Sequence, residues 1–229
     1  MPTNNLSSIQ HRITQYETKY QREPGSVQLL VASKNQTIEK ITALYQAGQK
    51  KFGESYLQEA LPKIASLPDI EWHFIGPIQA NKTRKIAEHF SWVHSISSEK
   101  IAKRLNDQRP DHFPPLNICI EVNISEETTK SGILAADVLS LAELCSNLPR
   151  LTLRGLMAIP MHKQTFAEQQ QEFHKLRLLF DALKEKGLSL DTLSMGMSND
   201  MEAAIAEGST LIRIGTAFFG QREKNSLTP

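Results

Sequence analysis

Short apolar runs that alternate with helix-compatible stretches constrain the fold of this chain most. Eight such units follow one another from residue 26 onward in a sequence of 229 residues. The apolar runs predict strands at 26–33, 50–54, 70–75, 91–96, 116–124, 151–159, 192–196 and 211–215. The stretches between them predict helices, for example at 37–47 and 166–186, which Gly48 and Gly187 end. We expect an additional helix before the first strand.

Eight strand-then-helix units predict an α/β fold, a (β/α)8 TIM barrel, in which the first and eighth strands pair and remove both sheet edges. A doubly wound open sheet is the alternative. Runs such as LLVAS at 29–33 are apolar at most positions, as expected for strands that are covered on both faces. The proline-rich stretch 109–115 is short enough for an ordinary loop. We therefore expect a single domain that spans residues 1–229.

Charge and composition exclude several classes of function. The 26 basic and 25 acidic side chains give a net charge of +1, so no overall field attracts nucleic acid or an anionic membrane. The amino-terminal segment has no apolar signal core, and no apolar run approaches the roughly 18 residues that span a bilayer. We expect a soluble, cytoplasmic protein. Cys119 and Cys145 form no C-x-x-C pair and are expected to be buried thiols, and no metal-ligand or nucleotide-loop spacing occurs.

The first strand ends in one lysine, Lys34. In a parallel barrel the carboxyl end of a strand faces the mouth, where functional residues gather. A lysine in a low-dielectric pocket has a lowered pKa, and its neutral amine forms a Schiff base with an aldehyde. A solvated surface lysine is the alternative interpretation.

Two glycine-containing segments follow the last two strands. Ser198 and Asn199, after strand seven, are good cap residues for a helix that starts at Met201. Gly215 and Thr216, after strand eight, offer close backbone approach and a hydroxyl. Barrels of this type often bind phosphate after strands seven and eight, so these segments predict a phosphate site. A helix cap and a tight turn without a ligand are the alternative.

Strand alternation adds a third group to this mouth. It places Arg213 on the same face as Leu211 and Gly215, and it places Lys34 on the same face as Leu30. An inward-pointing guanidinium needs a buried acceptor, because an unpaired buried charge is very costly. A phosphorylated aldehyde with an acceptor atom in a ring would satisfy the lysine, the arginine and the phosphate site together.

Weaker features lie on strands two and three. Ser55 and Tyr56 follow strand two and are expected near the mouth. Alternation turns Glu71, His73 and Ile75 inward on strand three. A lone buried histidine is more often a hydrogen-bonded core residue than a catalyst.

Six segments resemble the pyridoxal phosphate homeostasis protein family, whose fold is similar to the barrel domain of alanine racemase. They are VASK at 31–34, FGES at 52–55, WHFIG at 72–76, RGLMAIP at 154–160, LSMGMSND at 193–200 and RIGTAFFG at 213–220. The resemblance runs over nearly the whole chain.

The resemblance implies that pyridoxal 5'-phosphate is held as a Schiff base on Lys34. It implies that Ser198, Gly215 and Thr216 help to hold the phosphate and that Arg213 faces the pyridine nitrogen. Where this family usually has asparagine after Phe-Gly-Glu, the chain has Ser55, which lacks the amide donor. Lys130 also lies in a matching segment and is a candidate second cation. The expected cofactor-binding residues are Lys34, Ser55, His73, Met197, Ser198, Arg213, Gly215 and Thr216.

A permanently charged Arg213 at the ring nitrogen disfavours a protonated pyridinium and weakens the cofactor as an electron sink. The sequence continues for only nine residues after Gly220, so we expect no covering domain that would supply a second base. We therefore expect no catalytic residues and no bound metal. The resemblance implies a monomer that carries or buffers pyridoxal phosphate and transiently meets apo-enzymes that need it. The alternatives are a pyridoxal-phosphate-dependent racemase, with Tyr56 as its candidate base, or transaminase, and a cofactor-free aldolase that uses Lys34.

Overall fold

A computed structural model describes residues 2–127 and 130–220 of the chain. Within them, strands alternate with helices as the sequence predicts. The strands are β1 (Gln28–Ala32), β2 (Lys51–Glu54), β3 (Glu71–Phe74), β4 (Trp92–Ile96), β5 (Leu116–Glu121), β6 (Leu151–Met157), β7 (Thr192–Ser194) and β8 (Leu211–Ile214). The helices are α1 (Pro2–Lys19), α2 (Ile38–Gln46), α3 (Leu57–Ser66), α4 (Thr83–His89), α5 (Glu99–Gln108), α6 (Val138–Ser146), α7 (Phe166–Glu185), α8 (Met201–Ala206) and α9 (Thr216–Phe219).

The eight strands close into one parallel barrel in sequence order. Closure depends on the pairing of β1 with β8, in which Gln28 lies opposite Leu211 and Val31 lies opposite Ile214. This pairing confirms the (β/α)8 barrel and excludes the open doubly wound sheet. The expected single domain covers residues 1–229, of which residue 1, residues 128–129 and residues 221–229 lie outside the described part.

Several strands end earlier than the sequence predicts. β5 ends at Glu121 and β6 at Met157, although the apolar runs continue to 124 and 159. Val122 forms an isolated bridge with Ile133 in the following loop, so the end of this apolar run leaves the barrel. β7 ends at Ser194, two residues before Gly196, whose φ of +97° turns the chain.

The predicted helices at 37–47 and 166–186 are confirmed as α2 and α7. Gly48 and Gly187, which follow them, have φ of +103° and +88°, the left-handed conformation that suits a residue beyond a helix end. The expected first helix is also present. Its buried face, which includes Leu6, Ile9 and Ile13, joins the main hydrophobic core.

Two kinds of core result from strand alternation. Outward-facing residues such as Val31, Phe52 and Ile212 join the helices in one large apolar core. The barrel interior is more polar, because His73 and Arg213 lie inside it, both buried. The predicted inward direction of His73 and Arg213 is therefore confirmed.

A buried ion pair ties the ends of β1 and β2 to α3. Lys63 Nζ lies 2.8 Å from Glu54 Oε1 and donates to the Ser33 carbonyl at 3.0 Å. The Ser33 hydroxyl donates to the same Glu54 oxygen at 2.6 Å. The side chains of Glu54 and Lys63 are 0% and 7% exposed. Burial raises the pKa of Glu54, while the hydrogen bonds from Lys63 and Ser33 oppose that rise. This cluster fixes the backbone immediately before Lys34.

We predict that Lys63→Met destabilises the protein by about 3 kcal/mol at pH 7, because it leaves the Glu54 carboxylate buried without its counter-charge. Without Lys63 the folded-state pKa of Glu54 lies above the already raised wild-type value, because the hydrogen bond and charge of Lys63 no longer oppose the rise. The loss shrinks as the pH falls from the variant's pKa toward the wild-type one. In that window the folded protein takes up the proton that neutralises the carboxyl. Urea unfolding of both proteins at pH 7 and pH 5 measures the difference.

The double variant Lys63→Met with Glu54→Gln is the matched control. It removes both charges and is expected to recover most of the lost stability with a flat pH dependence. An equal loss in the single and double variants would contradict the buried-charge explanation.

Candidate functional site

Closure of the barrel brings Lys34 next to the segment that follows β8. Lys34 is half-buried in the turn after β1, and it lines a small pocket of about 70 Å³ with Gly215 and Thr216. Asn35 holds the turn at φ +59°, a conformation that asparagine tolerates, and its amide donates to Glu59 Oε2 at 2.9 Å. The predicted meeting of the lysine and the glycine-threonine segment is therefore present.

The loops after β7 and β8 also meet. The hydroxyl oxygens of Ser198 and Thr216 lie 3.2 Å apart. A Cβ at Gly215 would lie 3.1 Å from the Ala32 carbonyl oxygen, so the absent side chain lets two strand ends approach closely. Two hydroxyls beside a lysine provide the donors that a phosphate group prefers.

The expected cap at the start of α8 is not the observed one. Asp200, not Ser198 or Asn199, directly precedes the helix. Its Oδ1 accepts a hydrogen bond from the Met197 amide at 2.5 Å. This bond reaches backward along the loop after β7, and the Ser198 hydroxyl lies toward Thr216 instead of capping the helix. Met197 is 38% exposed.

Arg213 lies inside the barrel and is 5% exposed. Its Nη1 donates to the carbonyl and the hydroxyl of Ser194, both at 2.6 Å, and its Nη2 donates to the Ala158 carbonyl at 2.9 Å. Ser194 and Ala158 thus supply buried acceptors of the kind that the sequence predicts for Arg213. A guanidinium has five N–H groups, and these bonds use three, which leaves two for another acceptor. Burial lowers the pKa of Arg213 to about 10, so the group stays charged at neutral pH.

His73 does not line the pocket with Lys34. Its ring is fully buried, and its two nitrogens lie 2.9 Å from Glu71 Oε1 and 2.9 Å from His94 Nε2. It also stacks on Trp92, with ring centres 5.3 Å apart and planes at 9°. The interpretation of His73 as a hydrogen-bonded core residue fits this geometry, and a direct contact with a cofactor stays a prediction.

Ser55 and Tyr56 follow β2 as expected. The Ser55 carbonyl oxygen lies 2.1 Å from where a Cβ at Gly76 would be, so the ends of β2 and β3 are in close backbone contact. Tyr56 is 53% exposed. Lys130 donates to the Pro160 carbonyl at 3.2 Å, which places it against the loop after β6.

Sequence reasoning missed two polar residues of the interior, His94 and Ser194. Both are fully buried and lie 2.9 Å apart through His94 Nδ1 and Ser194 Oγ. The signal was available, because strand alternation from Trp92 and Thr192 turns both positions inward. The two cysteines, Cys119 and Cys145, are buried as expected, and burial raises the pKa of each thiol to about 12.

A second pocket, of about 450 Å³, lies at the opposite end of the barrel, where the strands begin. Its charges pair with one another. Lys51 lies 3.2 Å from Glu71, and the Arg154 guanidinium forms a two-pronged pair with Asp191. Neither of these two ion pairs therefore leaves an unpaired charge that could attract a ligand into this pocket.

Two kinds of feature are absent from residues 2–127 and 130–220. They contain no group of three or more histidine, cysteine, aspartate or glutamate side chains placed to hold a metal ion. None of the helices in these ranges has the length and apolar character needed to span a bilayer.

The chain is similar in sequence to known proteins over nearly its whole length. The family model described as alanine racemase, N-terminal domain, matches residues 5–223. A pyridoxal phosphate homeostasis protein of Vibrio alginolyticus is 53% identical over 96% of this chain and 97% of its own. The protein of the same name from Escherichia coli is 47% identical over 96% of each chain.

Solved structures show the same fold. PipY of Synechococcus elongatus, whose structure was solved with pyridoxal phosphate bound, matches with a TM-score of 0.82 and 37% identity, over 96% of this chain and all of PipY. Alanine racemase of Corynebacterium glutamicum matches with a TM-score of 0.68, over 97% of this chain and 63% of that enzyme. At 16% identity this second likeness is one of fold alone. The barrel, its mouth and the similarity along nearly the whole chain agree, and the protein belongs to the pyridoxal phosphate homeostasis protein family, which shares the barrel of the alanine racemase N-terminal domain.

Proposed function

We propose that this protein binds pyridoxal 5'-phosphate, holds it as a Schiff base on Lys34 and buffers or delivers it without turning over amino acids. The observation that carries the proposal is the shared pocket of Lys34, Gly215 and Thr216. The relatives named for pyridoxal phosphate homeostasis and the PipY structure with pyridoxal phosphate support it. We further propose a cytoplasmic monomer that meets apo-enzymes transiently.

The donor groups at the mouth match the functional groups of pyridoxal phosphate. The aldehyde needs an amine, which Lys34 supplies. The phosphate needs hydrogen-bond donors, and the Ser198 and Thr216 hydroxyls lie 3.2 Å apart beside Gly215. The ring nitrogen is an acceptor, and Arg213 retains two N–H groups for one. The cofactor thus fits the residues present.

The charge of Arg213 favours a carrier over an enzyme. Pyridoxal phosphate supplies an electron-withdrawing ring, which is strongest when its nitrogen is protonated. A guanidinium that stays charged at neutral pH opposes that proton. Tyr56 is 53% exposed and does not line the pocket of Lys34, Gly215 and Thr216, which disfavours it as a racemase base. Storage and release are therefore better supported than carbanion chemistry.

We expect Lys34→Ala to abolish the visible absorption of the protein-bound cofactor and the adduct that borohydride traps, because the attacking amine is gone. Noncovalent binding should persist at lower affinity through Ser198, Thr216 and Arg213. Absorption spectra and mass spectrometry of the reduced protein measure both effects. Lys40→Ala is the matched control, since Lys40 is an exposed lysine on α2 whose Nζ donates to Gln36 Oε1 at 3.3 Å. A trapped adduct in Lys34→Ala would show that another lysine is the attachment point.

A second measurement separates the carrier from the racemase. Loaded protein is mixed with L-alanine in heavy water, and exchange of the alpha hydrogen is followed by NMR. A carrier gives exchange no faster than free pyridoxal phosphate at the same concentration. Faster exchange that Lys34→Ala abolishes would establish an enzyme. A wild-type protein that stays colourless with pyridoxal phosphate would instead favour the aldolase.

A further inference from the structure

A continuous line of polar side chains crosses the barrel interior below Arg213. Arg213 Nη1 lies 2.6 Å from Ser194 Oγ, which lies 2.9 Å from His94 Nδ1. His94 Nε2 lies 2.9 Å from His73 Nδ1, and His73 Nε2 lies 2.9 Å from Glu71 Oε1. We call these five residues the relay. It begins at Glu71, where β3 starts, and reaches the arginine on β8.

At each end of the relay, the direction of the hydrogen bond is fixed by the chemistry of the end group. A guanidinium donates hydrogen bonds and never accepts them. At the other end, the hydrogen bond from His73 and the positive charge of Lys51 both lower the pKa of Glu71. Its carboxylate is therefore ionised near neutral pH and only accepts. His73 Nε2 must then carry a proton.

The positions of the protons in the middle of the relay follow from the hydrogen-bond directions at its two ends. Burial lowers the pKa of both His73 and His94, so each ring holds one proton at neutral pH. With its proton on Nε2, His73 offers a bare Nδ1, which accepts from His94 Nε2–H. His94 then offers a bare Nδ1 to the Ser194 hydroxyl, whose lone pairs accept from Arg213. Every hydrogen bond points from Arg213 toward Glu71.

The surroundings oppose a second proton on either ring. Lys51 on β2 repels positive charge on both histidines, and Arg213 on β8 repels it on His94, whereas Glu71 favours it on His73. The stacked indole of Trp92 covers one face of His73. Hydrogen bonds that all point in one direction polarise one another and reinforce the arrangement.

We propose that the relay is a positioning device, which keeps His73 and His94 as single Nε2–H tautomers and thereby holds the Arg213 guanidinium in the orientation that serves the ring nitrogen of the cofactor. Only the last step rests on the proposed function, because the tautomers belong to the protein itself. Glu71, His73, His94 and Ser194 are positioning residues that act through Arg213.

In the competing arrangement, the hydrogen bonds from His73 to His94 and from His94 to Ser194 point in the opposite direction. In it His73 carries protons on both nitrogens and donates to both Glu71 and His94, while His94 donates from Nδ1 to Ser194. The Ser194 hydroxyl would then accept from both Arg213 and His94, and its own proton would need a further acceptor. This arrangement also places a second full cation inside the barrel, where burial penalises it.

The first test uses the full chain without cofactor, labelled with ¹⁵N-histidine. Two-bond ¹H–¹⁵N correlation distinguishes protonated from bare ring nitrogens, and His73→Gln and His94→Gln assign the signals. We expect each ring to show a protonated Nε2 and a bare Nδ1 from pH 6 to pH 8. A doubly protonated His73, or a proton on His94 Nδ1, would overturn the relay.

The second test cuts the relay at Ser194. We expect Ser194→Ala to shift the ¹⁵N signal of the bare His94 Nδ1, which loses its hydrogen-bond donor, and to weaken equilibrium binding of pyridoxal phosphate about fivefold, the effect of one lost hydrogen bond. Ser209→Ala is the matched control, because Ser209 is an equally buried serine whose hydroxyl, within the described part of the chain, contacts backbone carbonyls, the nearest being Met195 at 2.7 Å. It should change neither the ring signals nor the affinity.

Ser194→Thr, which restores the hydroxyl, should return the His94 Nδ1 signal to its wild-type position. Equal loss of affinity in Ser194→Ala and Ser209→Ala would reduce Ser194 to packing and overturn the positioning role. Single tautomers in a protein that takes up no pyridoxal phosphate would instead overturn the proposed function and leave the relay intact. The two failures are therefore distinguishable.

Discussion

The pairing of β1 with β8 is the interaction on which the rest of this molecule depends. Lys34 and Thr216 are 182 positions apart in the sequence, yet each follows one of these two strands directly. Four residue pairs of parallel register, from Gln28 with Leu211 to Val31 with Ile214, fix the relative height of the two strand ends. A slip of one residue would turn every inward side chain of one strand outward. The register that closes the barrel thus also sets the distance between an amine and a hydroxyl.

A second constraint is the cost of a charge inside the barrel. Arg213 is tolerated because two backbone carbonyls and one hydroxyl accept its protons. These acceptors come from the ends of β6 and β7, so several strands must be in place before the guanidinium is satisfied. A buried charge that is held in this way gives little net stability, because its desolvation offsets much of what the hydrogen bonds gain. Its rigid fork also leaves N–H groups in defined directions for a ligand.

Much of this architecture is readable from the sequence, because strands that are covered on both faces leave a strong apolar signal. The eight strands, the helix ends at Gly48 and Gly187 and the inward direction of Arg213 follow from pattern and alternation alone. The strand ends were less predictable, since the apolar run through Val122 continues after the chain leaves the barrel for its contact with Ile133.

Polar contacts between distant segments were the least predictable part. Glu54 pairs with a lysine nine residues later, and His94 pairs with a serine one hundred residues later. No local pattern specifies such partners, because they depend on how elements pack around the barrel. The predicted cap of α8 was wrong for a related reason. Ser198, Asn199 and Asp200 are all good cap residues, and the local pattern does not specify which of them directly precedes the helix.

The first helix has a consequence for how the molecule can be handled. The Asn5 side chain donates to the Ala217 carbonyl at 2.8 Å, so α1 is tied to the short α9 that carries Thr216. Lys19 and Tyr20, at and just beyond the other end of α1, both bond to Glu202 on α8, the helix that follows the Ser198 loop. Both loops at the barrel mouth are therefore followed by a helix that is hydrogen-bonded to α1. A label, tether or fusion partner attached through α1 would therefore affect the positions of the two segments that are proposed to bind the phosphate.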